Sequence, residues 1–148
     1  MSDLQSGALS EYIVCDRRRI ARTPSPSNLT LEQMSLLPLQ GIPAIRAIRA
    51  RLIRHSRAII CDAHQGIPAL ICQELARAGV HVTALVSGGQ DHHSAQRLCM
   101  AHGAKGVLTG KPAAVMNGLD EGWDFIVETQ GGQNAYDAAR RILKDGGK

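Results

Sequence analysis

Apolar positions along the chain fall into short runs divided by glycine and proline. The first run, EYIVC over residues 11–15, reads as a short strand. The next stretch, DRRRIARTPSPSNLT, is basic, carries two prolines and predicts an extended loop. Thr30 and Gln33 form a T-x-x-Q capping box at a helix start. That helix is expected to end before Pro38. Pro43, after Gly41 and Ile42, suits the first turn of a second helix running to about Arg54. On it Ile45, Ile48 and Leu52 share one face, and Arg46, Arg49 and Arg54 point away.

From residue 57 the pattern changes. Residues 58–61, AIIC, are a continuous apolar run, as in a buried parallel strand. Residues 62–66 predict a turn and 68–78 a helix, with Pro68 at its start and Gly79 past its end. VHVTALV over 80–86 is rich in β-branched residues and predicts a second strand. A loop, a helix over 94–102 closed by Gly103, and a third strand over 106–109 follow. A short helix around 113–116, a fourth strand over 124–129 and a last helix over 134–143 complete the chain.

Strands alternating with helices at this spacing imply βαβ units and a parallel sheet. Right-handed crossovers make it a doubly wound α/β half, a three-layer α/β/α arrangement. Two segments are expected: an extension over residues 1–28 with one strand and a basic loop, and a doubly wound domain over 29–148. The last helix and turn point toward a fifth strand, so the sheet reads as truncated.

Composition narrows the function classes. Apolar residues are 44% and charged residues 20%, ordinary for a globular chain. No apolar run approaches the ~20 residues of a membrane helix. MSDLQSGALSEY lacks the basic and apolar regions of a secretory signal. Aromatics at 3% weigh against stacking platforms for single-stranded nucleic acid. Cys15, Cys61, Cys72 and Cys99 contain no C-x-x-C pair and fit a reduced intracellular compartment, cytoplasmic or nuclear. Charge is uneven: residues 17–57 hold nine arginines and one acid, Glu32, whereas the rest holds eight bases and twelve acids. Arg17, Arg18, Arg19, Arg46, Arg49, Arg54 and Arg57 therefore form a basic strip. It is either a solvated face or a surface for an acidic partner or nucleic acid.

Several ordered stretches resemble the cofactor-binding domain of medium-chain dehydrogenases/reductases, closest to the quinone oxidoreductase branch. They are GALSEYIV, NLTLEQMSLLPLQGIPAIRAI, the strand–turn–helix over 59–76, Gly103-Ala104, GWDFIVETQGG from Gly122 and LKDGG from Leu143. The resemblance covers residues 7–148. It implies a Rossmann-like fold without the family's catalytic domain, beyond at most that domain's final strand. No catalytic zinc is expected, because the family holds it mainly in that other domain.

The same resemblance locates a cofactor turn that has changed. A dinucleotide rests its pyrophosphate on a glycine-rich turn at a helix N-terminus. The family's G-x-x-G-G-x-G is here Asp62-Ala63-His64-Gln65-Gly66-Ile67-Pro68, and only Gly66 matches. Asp62 sets a carboxylate where a diphosphate would lie. Two unit charges ~4 Å apart repel by about 4 kcal/mol at an effective dielectric near 20. Pro68 removes an N–H and adds a ring. The second strand ends Val86-Ser87-Gly88-Gly89, with neither the acid an NAD site wants nor a base for NADP. The family's G-L-T-A-Y reads Gly41-Ile42-Pro43-Ala44-Ile45, without hydroxyls.

The expected function is therefore a non-catalytic pseudo-oxidoreductase domain, with no cofactor, no catalytic residues and no metal, serving dimerisation or docking. Its contact surface is expected along the fourth strand and last helix, at Phe125, Ile126, Val127 and Tyr136, because an uncovered edge strand pairs with other chains. The alternative is an NADP(H)-dependent quinone-type reductase or nucleotide sensor using Gln65, Gly66, Ile67 and Ser87. A third reading is a nucleic-acid-associated domain using the arginines. Two smaller constellations remain. Cys61 with His64 resembles a nucleophile pair, against a buried strand-end thiol and a turn histidine. His92, His93, Cys99 and His102 resemble a metal cluster, against surface histidines.

Overall fold

In a computed structural model, residues 11–25, 27–49, 55–88, 91–129 and 131–148 are described. The expected helix end at Arg54 and the first ten residues lie outside them. The chain divides into two compact units, Met1–Met34 and Ser35–Lys148.

Four parallel strands form the sheet: β1 (Arg57–Cys61), β2 (His81–Val86), β3 (Gly106–Thr109) and β4 (Phe125–Val127), in the order β3-β2-β1-β4. Register is set by Ile59 opposite Thr83 and by Ile59 opposite Ile126. Helices α2 (Gly66–Arg77), α3 (His92–Ala101), α4 (Pro112–Asn117) and α5 (Gln133–Ile142) follow the strands in turn. The period-two alternation of β1 and β2 sorts side chains into two cores. Ala58, Ile60, Val82, Ala84 and Val86 pack with Ile71, Cys72, Leu75, Ala95 and Cys99 of α2 and α3. Ile59, Cys61 and Leu85 pack with Met116, Ala135, Ala138 and Ile142 of α4 and α5. This is the three-layer α/β/α fold expected from the sequence.

Two expectations are corrected. Residues 11–15 form no strand: they carry no regular secondary structure, all five are exposed, and Val14 is 93% exposed. The two helices expected on either side of Pro38 are one, α1 (Leu31–Ile48), with Pro38 and Pro43 inside it. Each proline deletes one i→i−4 bond, and the residues between them supply the rest. The capping box is present: the Thr30 N–H donates to Gln33 Oε1 at 3.0 Å, and the Gln33 N–H donates to Thr30 Oγ1 at 3.3 Å. The basic loop contains a 3₁₀ turn, Arg17–Arg19, capped by the Asp16 carboxylate.

Beside β4 the chain returns to the sheet. The Lys148 N–H donates to the Asp124 carbonyl at 3.0 Å and the Ile126 N–H to the Lys148 carbonyl at 2.8 Å. This is a parallel bridge opposite Phe125. The edge expected to be open is therefore occupied at Asp124–Ile126 by Lys148.

Candidate functional site

The carboxyl ends of β1, β2 and β4 are where a doubly wound sheet carries its sites. At the end of β1 the backbone turns left-handed: Asp62 has φ +54° and Gly66 has φ +56°. The turn thus keeps a conformation that suits glycine, with aspartate at one of its positions. Aspartate tolerates this region better than most residues. The Asp62 side chain is buried and crosses to the end of β2. Its Oδ1 accepts from the Ser87 N–H at 3.1 Å and from Ser87 Oγ at 2.5 Å. The Asp62 N–H donates to the Leu85 carbonyl at 2.7 Å. Adjacent strand ends are thereby tied together by a carboxylate.

The sequence-derived cofactor residues surround this tie. Gln65 is the N-cap of α2 in extended backbone and caps nothing with its side chain. Space is open where a Gly66 side chain would be, so only its backbone conformation restricts that position. Ile67 packs against the first core and does not project freely into the crevice. Pro68 is buried. Ser87 directs both of its donors to Asp62.

A residue not singled out by sequence adds to the charge here. Glu128, just past β4, accepts from the Gly131 N–H at 2.8 Å through Oε2. Burial, then the charges of Glu128 and Asp62, push the Cys61 thiol up to about 12. Two carboxylates therefore act on one strand end, and that thiol is not a nucleophile at neutral pH. Burial likewise raises Cys72 and Cys99 to about 11. The expected result with an aromatic disulfide reagent at pH 8 is fast labelling of exposed Cys15 only. Cys61, Cys72 and Cys99, all buried, react after unfolding. Rapid native labelling of Cys61 would restore the nucleophile reading.

The histidine cluster is not assembled. Among the described residues no three His, Cys, Asp or Glu side chains gather at metal-binding distance. His102 Nδ1 instead lies 2.9 Å from the Ala63 carbonyl. No described helix is long and apolar enough to cross a membrane.

On the β4 side, Phe125 turns inward and is 6% exposed, whereas Ile126 and Val127 are half-buried. Ile126, Tyr136, Ala139, Arg140, Leu143 and Lys148 help line a groove of about 560 Å³. Tyr136 is exposed on its wall. Arg18 pairs with Asp16 at 2.6 Å, which holds the Asp16 carboxyl below its ordinary range. Arg46 lies in α1, and Arg49 follows its end. Arg57 stacks on Trp123 with its guanidinium carbon 4.2 Å from the ring centre. Arg54 lies outside the described residues.

No family model and no curated protein matches the sequence. Solved structures do match its fold. The quinone oxidoreductase of Thermus thermophilus, also solved with NADPH, is 22% identical with TM-score 0.64, over 84% of this chain and 40% of that one. The quinone oxidoreductase of Coxiella burnetii is 19% identical with TM-score 0.66, over 80% and 36%. A thermostable alcohol dehydrogenase of Pyrobaculum aerophilum is 19% identical with TM-score 0.65, over 82% and 34%. The chain thus spans about two fifths or less of these three proteins and shares the Rossmann-like fold found in them.

Proposed function

We propose that this chain is a Rossmann-like domain whose dinucleotide turn is closed by its own carboxylate and which serves as a non-catalytic protein-interaction module. The observation that carries this reading is the Asp62–Ser87 tie. A bound pyrophosphate would meet the Asp62 charge, and a ribose at the end of β2 would find Ser87 already bonded. Glu128 adds a second negative group acting on the same strand end. The groove beside β4, with Ile126 and Tyr136 in its wall, is the docking surface in this reading; Val127 packs on the other face of the sheet.

A thermal-shift titration with NADPH and NADH tests the closed turn. A ligand at 100 times its dissociation constant adds about 2.7 kcal/mol, roughly 2–8 °C for a domain of this size. The expected result is no saturable shift, and Gly66→Ala should alter the melting temperature without changing any NADPH response. A saturable shift that Gly66→Ala abolishes would establish the cofactor reading through Gln65, Gly66, Ile67 and Ser87. That second reading draws on one specific feature: α2 begins without a side-chain cap from Gln65, at the end where a helix can hold an anion.

A further inference from the structure

We infer that His55 and His81 form a two-imidazole site for a divalent transition-metal ion, such as zinc, at the amino ends of β1 and β2. The Asp62–Ser87 tie lies at the other ends of these strands, so the inference goes beyond the closed turn and does not depend on it. It is also separate from the constellation of His92, His93, Cys99 and His102, which the fold does not assemble.

The backbone brings the two histidines together. His55 precedes β1 by two residues, and His81 opens β2. Two hydrogen bonds clamp their segments. The His55 N–H donates to the Gly79 carbonyl at 3.0 Å, and the His81 N–H donates to the Ser56 carbonyl at 2.8 Å. His55 is left-handed, at φ +69°. Histidine enters that region more readily than most residues, and non-glycine residues held there gather at functional sites. In this conformation the His55 ring centre stands 6.0 Å from that of His81, with 34° between the ring planes.

That spacing suits one shared ion. A tetrahedral zinc with nitrogen ligands at about 2.0–2.1 Å holds two imidazole centres about 5 Å apart. Closing the remaining ~1 Å takes side-chain rotation alone, which two exposed residues permit. Neither ring takes part in a hydrogen bond or ion pair among the described residues, whereas His102 Nδ1 lies 2.9 Å from the Ala63 carbonyl. Arg57 stands opposite His81 in the ladder. Its guanidinium lies over Trp123, beside β4, and β4 flanks β1 on the side away from β2. Imidazole is a ligand for zinc, copper and nickel, whereas magnesium and calcium take oxygen. Two protein ligands leave the other positions to water, and the ion cross-links the entries of two neighbouring strands.

Isothermal titration calorimetry of the full chain with zinc chloride tests this, with magnesium chloride as the contrast. The expected result is saturable binding of one zinc per chain and no binding of magnesium. Loss of even an outer partner of a metal ligand weakens affinity about 10–100-fold. His81→Ala should therefore weaken zinc binding at least about tenfold. So should His55→Gly, which keeps the left-handed backbone available. Cys15→Ser, at the exposed thiol, and His92→Ala with His93→Ala should bind zinc as the parent does. A parent that binds no zinc, or zinc binding that survives His55→Gly or His81→Ala, overturns the proposal. Binding lost only in Cys15→Ser, or only in the His92 and His93 double variant, also overturns it. If either histidine variant unfolds by circular dichroism, imidazole NMR signals of the parent decide. Zinc should move the His55 and His81 signals first, and a first response at any other histidine overturns the proposal. The NADPH titration reports separately on the closed turn.

Discussion

Gly103→Ala is expected to destabilise the domain by about 3 kcal/mol and lower its melting temperature by roughly 10 °C. Gly103 follows the end of α3 at φ +97°. Its N–H donates to the Met100 carbonyl at 2.9 Å, and the Ala104 N–H donates to the Cys99 carbonyl at 3.1 Å. These bonds satisfy the last turn of the helix and need a left-handed residue. A side chain in that conformation costs about 1–2 kcal/mol. Its Cβ would also stand 2.6 Å from Ala76 Cβ on α2. Overpacking of this kind costs about 1–3 kcal/mol, because two helices must separate to relieve it. Total stability is about 5–15 kcal/mol, so the loss is a large share. Urea melts of Gly103→Ala and of Gly88→Ala, where nothing lies within 4 Å and φ is not left-handed, make the comparison. Gly88→Ala should stay within about 0.5 kcal/mol of the parent. Equal midpoints for the two variants would show that α2 and α3 are not in close contact.

Asp62→Ala is expected to have a loss of similar size for a different reason. It leaves the Ser87 N–H and hydroxyl without their acceptor, a cost of about 1–3 kcal/mol for partly buried groups. It also places alanine at φ +54°, where aspartate is better tolerated. Asp62→Asn keeps an acceptor and that tolerance, so it should recover most of the loss. Asp62→Gly relieves the backbone but not Ser87 and should fall between them. The three variants, compared by urea melts, separate hydrogen bonding from backbone strain. The same series bears on function. Asp62→Gly removes the carboxylate and frees Ser87, so a weak saturable NADPH shift should appear in that variant and not in the parent. Equal stability of all three variants would mean that the Asp62–Ser87 tie contributes nothing, and the closed-turn reading would lose its basis.

The fold was legible because its signals are local. Apolar runs such as AIIC and TALV need burial on both faces, and glycines at 79 and 103 mark helix ends where only left-handed backbone continues the chain. Those signals placed all four parallel strands and every helix after residue 57. They failed in two places. EYIVC has strand composition, but composition alone does not make a ladder, and its residues are exposed and without regular structure. Pro38 looked like a helix stop, yet one missing hydrogen bond did not end α1, whose inward face is held against the core.

The candidate site was half legible. Asp62 and Ser87 each stood out as departures from a glycine-rich turn, but nothing in their spacing showed that one would bind the other. That contact exists because β1 and β2 are parallel neighbours, with Cys61 opposite Leu85, so residues 25 apart end at the same level. Glu128 carried no signal, since its role comes from β4 lying on the other side of β1. Lys148 was likewise unreadable as an edge partner. The order of residues was enough for the alternation of elements, the parallel sheet and the loss of the glycine pattern, because propensity and periodicity act over a few residues. Folding had to settle the rest: the lost glycine became a carboxylate tie, the open edge was partly paired, and α1 kept an apolar face in solvent. Each of these depends on which distant segments the sheet brings side by side.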